Sequence, residues 1–317
     1  MRADQVDVPL GRLRSQTAPE TKRARATLID ESPFALAMRD GKRAALTAAR
    51  LARWAIEPRE FSAPTLATRG AARLVVLEER LSVSRKDPHA HPVFERGKRR
   101  NLALAATAFH GLELRDDRVF SFWRTLGPAT ASRGFVAGME LAGGCVVPAI
   151  GGGLCLLSNG LFRLALRADF AIVERYGHSL EAVPPEEGAL VGADATVAYA
   201  HIDLRFRPKR GSFTLRAQLI GDDLALALEG DRPLPYEVSL DNDRVALRED
   251  PSGLVRESVV CRTVTDPRDP RRGREVVAHD FKRVLVEDER SRSCLTCGET
   301  ECHAREERLA LLGPERP

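Results

Sequence analysis

Apolar and polar positions divide the chain into stretches of different period. Residues 1 to about 31 are polar, basic and aperiodic, the pattern of a loose tail. Ser32 and Pro33 then supply an N-cap followed by proline at the first helical position. A helix is expected from there to Ile56, bent or broken near Gly41, as a basic amphipathic arm. Such an arm either packs on its own domain with a solvated arginine face or docks on a membrane surface or partner. After a linker with Pro58 and Pro64, ARLVVLEERLSV (72–83) predicts a strand and KRRNLALAATAF (98–109) a helix with apolar residues at helical spacing. VFSFW (119–123) alternates and predicts a strand.

Seven glycines surround two short apolar runs between Gly134 and Gly153, and the segment ends in GGGLC. CLLSNGLFRLALRA (155–168) predicts a buried helix, and FAIVERY (170–176) and TVAYAHIDLRFR (196–207) predict strands. From about residue 212 short apolar runs alternate with Gly, Pro and Asp: SFTLRAQLI, DLALALEG, LPYEVSL, RVALRE, LVRESVVCRTV, REVVAHDF and RVLVED. The expected class is α+β: a helical arm, a Gly-rich α/β core with a Cys-headed helix, a strand-rich C-terminal half and a short Cys-rich tail. The divisions fall at 1–60, 61–211, 212–290 and 291–317. No internal repeat is visible.

Composition narrows the classes. At 317 residues, with 43% hydrophobic and 30% charged, the chain is globular. Its 49 basic and 45 acidic residues leave a net charge of +4, too balanced for a nucleic-acid partner. Apolar stretches such as NLALAATAF fall far short of the ~20 residues of a membrane helix, and the N-terminus has no apolar h-region. A soluble, cytoplasmic protein is expected, with a small-molecule or peptide-like substrate; its oligomeric state is not set by the sequence. Six cysteines in a reducing compartment argue against a disulfide framework.

Chemistry concentrates at the glycine–cysteine turn. Gly151, Gly152 and Gly153 allow backbone N–H groups to converge, and Cys155 opens a helix whose N-terminus favours an anion. A thiol there should carry a larger thiolate fraction, with the same amides available to an oxyanion. A thiolate nucleophile needs a base and an orienter. His178 lies 178 − 155 = 23 residues downstream, and Asp194 and Asp203 follow. That order resembles papain-like and transglutaminase-like thiol enzymes, a likeness of order only. Arg175 would grip a substrate carboxylate or phosphate, or brace an acidic neighbour. Asn159 would orient a substrate amide, or satisfy a loop backbone. Each residue also has a plain reading: a structural or metal-ligating Cys155, a capping or core His178, and an Asp194 that caps a turn.

A second cluster lies in SCLTCGETECHARE. Cys294, Cys297, Cys302 and His303 offer three thiolates and an imidazole to zinc. The alternatives are an iron–sulfur cluster, with Cys261 or another fourth ligand, and unligated, redox-active thiols. His89 and His91 form an HxH pair that reads as an ordinary loop rather than a metal site.

The run NLALAATAFHGLELRDDRVFSFWRTLGPATASRGFVAGMEL, then AIGGGLCLLSNGLFRLAL, IVERYGHS and GADATVAYAHIDLRFR, resembles the VanW family over about 97–207. The stretch RTVTDPRDPRRGREVVAHDFKRVLV resembles its C-terminal strand pair. The combination of FSFW, GGGLC, LSN, ER-x-x-HS and DATV in this order carries the likeness. The resemblance implies a link to glycopeptide resistance and cell-wall loci, without a defined reaction. Family members usually have Gln directly after the cysteine, where this chain has Leu156. Three functions follow: a cysteine-dependent acyl or amide hydrolase or transferase, a non-catalytic ligand-binding accessory protein, or a protein whose metal chemistry sits in the tail.

Overall fold

The computed structural model describes residues 33–56, 74–84, 91–142, 145–251, 253–268, 273–285, 293–295 and 305–313. The class is α+β. Helix α1 (Pro33–Ile56) runs unbroken through Gly41, contrary to the expected bend. An exposed glycine costs a helix only ~1 kcal/mol relative to alanine, too little to break a 24-residue element.

Next come β1 (Leu74–Ser82), α2 (Pro92–Phe109), β2 (Leu112–Arg115), β3 (Phe120–Ser121) and α3 (Phe122–Leu126). The strand expected over 119–123 is therefore two residues long. Ser121 caps a helix instead, its hydroxyl accepting from the Arg124 N–H at 3.2 Å. The Gly-rich stretch forms a hairpin of β4 (Ala137–Ala142) and β5 (Cys145–Ile150), which leads into α4 (Cys155–Arg167). After β6 (Ala171–Glu174) and β7 (Leu180–Glu181), only β8 (Arg205–Arg207) survives of the strand expected over 196–207. Ala200 adopts φ +60° there, and reciprocal Ala198–Ile202 hydrogen bonds of 2.9 and 3.0 Å close a turn that breaks the run.

The C-terminal part is strand-rich as expected: β9 (Ser212–Ile220), β10 (Asp223–Gly230), β11 (Glu237–Asp250), β12 (Gly253–Thr265) and β13 (Arg274–Val284). LPYEVSL and RVALRE fuse into β11, because the polar stretch between them is absorbed as a bulge near Asn242–Arg244. REVVAHDF and the start of RVLVED likewise fuse into β13.

One sheet has the order β1-β10-β9-β2 and another β11-β12-β13-β7, with smaller sheets β3-β8-β6 and β4-β5. The first sheet takes strands from both sides of residue 211, so that division runs through a single sheet rather than between domains. Strands β1 and β2 reach β10 and β9 across long stretches of chain, whereas β9–β10, β11–β12 and β12–β13 pair as sequence neighbours. Helix α4 lies on β1 and β10, burying Leu157, Leu161, Phe162 and Leu164. Each such side chain contributes roughly 1.5–3 kcal/mol. Gly160 lets the helix approach, since a Cβ there would stand 2.6 Å from methyls of Leu81 and Leu226. The tail returns to β5: the Cys294 N–H donates to the Val146 carbonyl at 3.0 Å, and α5 (Arg305–Ala310) packs beside that strand. Among the described residues, no helix is long and apolar enough to cross a membrane.

Candidate functional site

The turn before α4 is glycine for steric reasons first. Gly151 and Gly153 have φ of +80° and +96°, in the left-handed region that favours glycine. Gly152 lies against the Gly138 backbone, where a Cβ would collide. The Gly151 and Gly152 amides donate to the carbonyls of Val136 at 3.0 Å and Ala149 at 2.9 Å. Those two are therefore already engaged and not free to hold an oxyanion, which corrects the expectation for them. The Gly153 amide has no backbone partner among the described residues. Cys155 follows as the first residue of α4, where the orphaned N–H groups of the helix start gather.

The half-buried Cys155 thiol has three neighbours. The Thr196 hydroxyl stands 3.7 Å from Sγ, and His178 and the Val197 backbone lie close enough to favour the thiolate. Burial pushes the thiol up, but the His178 hydrogen bond and charge outweigh it and hold it below its ordinary range. The His178 Nδ1 bonds to Asp194 Oδ2, leaving Nε2 for the sulfur. The His178 backbone N–H donates to the same carboxylate oxygen at 3.1 Å. Burial alone would lower the imidazole; Asp194 and Cys155 instead raise it from 6.5 to about 9. Cys155 and His178 thus each favour the other's charged form, with the Asp194 carboxylate behind the imidazole.

Asp194 is itself enclosed by cations. Lys282 Nζ bonds to Oδ1, and Arg175 Nη2 lies 3.6 Å from that oxygen. Burial disfavours the carboxylate, yet His178, Lys282 and Arg175 hold it far below the usual range. Arg175 is a brace: it pairs with both oxygens of Asp280 at 2.7 and 2.6 Å and donates to the Asp194 and Gly192 carbonyls at 2.6 and 2.8 Å. Such a forked, fully engaged guanidinium is not offered to a substrate. Asn159 is also structural, its side-chain oxygen accepting from the Ala195 N–H at 2.8 Å, while the Ser158 hydroxyl donates to the Ala195 carbonyl at 2.6 Å. Together they pin the peptide between Asp194 and Thr196.

Asp203 does not join this group. It accepts from the Ser121 hydroxyl at 2.5 Å and the Trp123 N–H at 3.2 Å, fixing the start of α3, and burial raises its carboxyl to about 6. Of the two aspartates, Asp194 is the one that bonds to His178. Lys282, Asp280 and Thr196 are absent from the sequence reading. The first two alternate on β13 within AHDFKRV, a strand period that puts both on one face.

In the tail, Cys294 is buried beside β5, while Cys297, Cys302 and His303 lie outside the described residues. No group of three metal-ligating side chains occurs among the described residues. His91 caps α2, its Nδ1 accepting from the Val93 N–H at 3.3 Å, and His89 lies outside the described residues.

Residues 97–228 match the family described as VanW like protein. The likeness to the VanW-like family is thus carried by this region. It is 34% identical over 116 residues to the Vancomycin B-type resistance protein VanW of Enterococcus faecalis, covering 36% of this chain and 42% of that protein. The uncharacterized protein YoaR of Bacillus subtilis is 31% identical over 131 residues, 40% of this chain and 41% of its own length. The chain thus spans about two fifths of the curated relatives it matches. No solved structure matches it. The VanW-like region contains Cys155, Arg175, His178 and Asp194, whereas Asp280 and Lys282 lie beyond it.

Proposed function

We propose that this VanW-like protein is a cysteine-dependent acyl or amide hydrolase or transferase. The observation that carries the reading is Cys155 at the start of α4 with His178 beside it, the imidazole held by Asp194. The Cys155 thiolate attacks a carbonyl carbon; the C–S bond forms and the π electrons move to oxygen. Collapse expels an amine or alcohol, which takes its proton from His178 Nε2. Water, or an acceptor amine, then gives that nitrogen a proton as it attacks the thioester and releases the thiolate. The Gly153 and Cys155 amides at the helix start are the oxyanion donors, in place of Gly151 and Gly152. One relative is named for vancomycin resistance, and on that basis we place the substrate among cell-wall precursors or peptide-like metabolites. A thiol nucleophile suits the reducing cytoplasm, where we place the reaction.

Two measurements test this. Iodoacetamide at pH 6 should label Cys155 faster than any other cysteine, read by peptide mass spectrometry. In a screen of peptide amides and cell-wall precursor peptides, Cys155→Ala should lower turnover by about 10³-fold or more while the thermal midpoint stays near wild type. Slower labelling of Cys155 than of Cys145, or turnover that survives the substitution, would refute the nucleophile.

A further inference from the structure

We infer that Lys282, with Asp280 two residues before it on β13, is a positioning element for the Cys155–His178–Asp194 site, so that the C-terminal sheet belongs to the reactive centre although it lies outside the VanW-like match. The inference rests on the reading of Cys155 as nucleophile.

Asp194 lies on the segment between β7 and β8 that carries no regular structure, and its carboxylate must keep one oxygen on the imidazole. Three groups prevent it from turning away. Lys282 Nζ occupies the other oxygen, and the side chains of both residues are close to nine-tenths buried, at 11% and 13% exposure. Arg175, just after β6, stands against that same oxygen from a second side. Asp280 in turn locks Arg175 by a forked pair. Lys282 and Asp280 are i and i+2 on β13, so one strand face supplies a cation to the carboxylate and an anion to the brace.

The charges facing Asp194 are Lys282 and Asp280 from β13, Arg175 beside β6, and His178 with Cys155 beyond it. Lys282 therefore has an electrostatic consequence for a sulfur it does not touch. Removing its charge withdraws positive potential from the thiolate and leaves Asp194 more negative behind the imidazolium. Both changes raise the thiol's titration, and the second also raises that of the imidazole.

The experiment follows Cys155 alkylation against pH in the full chain. Lys282→Met should move the thiolate midpoint upward by about one pH unit, as expected for a unit charge several ångströms away at an effective dielectric near 20. Labelling at pH 6 should slow about tenfold, and Lys282→Arg should restore most of it. A purely structural Lys282 would lower stability but leave the midpoint of the folded protein unchanged, and that result overturns the inference. If Lys282→Met does not fold, Asp280→Asn carries the test, since it releases Arg175 and should also shift the midpoint; an unshifted profile there overturns the inference equally. A wild-type Cys155 that alkylates like an ordinary thiol would instead defeat the nucleophile reading itself, before any variant is compared.

Discussion

Cys155 and His178 shift in opposite directions on folding, so their effects on stability partly offset. An imidazole raised from 6.5 to about 9 contributes stability that is complete below pH 6.5 and lost as pH rises toward 9. A thiol held below its ordinary 9 contributes stability that is complete above pH 9 and lost as pH falls toward its folded value. Below pH 9, where the two windows overlap, the slopes have opposite sign and offset each other in part. Wild-type stability should therefore vary less with pH there than that of a variant lacking the thiol. In Cys155→Ala only the imidazole remains, still raised by Asp194, and the urea midpoint should fall as pH rises from 6.5. Denaturation curves at four pH values check this; parallel behaviour of the two proteins would argue against the pair. At this scale the sequence drew Cys155, His178 and Asp194 together as candidates, because a helix start and chain order are local properties. It left Asp194 and Asp203 undivided and missed Lys282, because those choices depend on which strand folds over which.

The hairpin β4–β5 and the head of α4 are joined by backbone packed on backbone at Gly138 and Gly152. Gly152→Ala should destabilise the protein by about 1–3 kcal/mol through overpacking, measured by urea denaturation, and a neutral result would show the hairpin able to shift. GGGLC drew notice in the sequence as an anion cradle; sterics account for much of its composition. Elements with a sustained period, such as α4, β9 and β10, were legible almost to the residue. Those that failed were short or interrupted. Ser121 turned an alternating aromatic run into a helix cap, and Ala200 broke a run of alternating residues with a left-handed turn.

Helix α1 joins the rest of the molecule along a narrow strip. Among its described side chains only Thr47, Arg50 and Trp54 are half-buried, while Met38, Leu46, Leu51 and Ile56 are exposed. Arg50 donates to the Glu174 carboxylate at 2.8 and 2.5 Å, and Trp54 lies 5.8 Å from the Arg124 guanidinium. Glu174 has a second partner in Arg205 at 3.3 Å. Arg50→Ala should therefore open α1 to hydrogen exchange and protease while the sheets keep their protection; loss of protection throughout would mean that the helix is integral to the core. The α+β class was readable from the sequence because periods of 3.6 and 2 alternate along it. The four-stranded sheet across residue 211 was not, since pairing partners far apart in the chain leave no local trace.

The join between β13 and the thiol centre also bears on biosynthesis. Lys282 follows Cys155 by 282 − 155 = 127 residues, so a ribosome delivers Cys155, His178 and Asp194 well before the lysine that pairs with the carboxylate. At a typical ~5–20 residues per second, that is an interval of roughly 6–25 seconds. Throughout it the Asp194 carboxylate lacks the lysine that occupies one of its oxygens in the folded protein, so this cluster is completed only once β13 has been made.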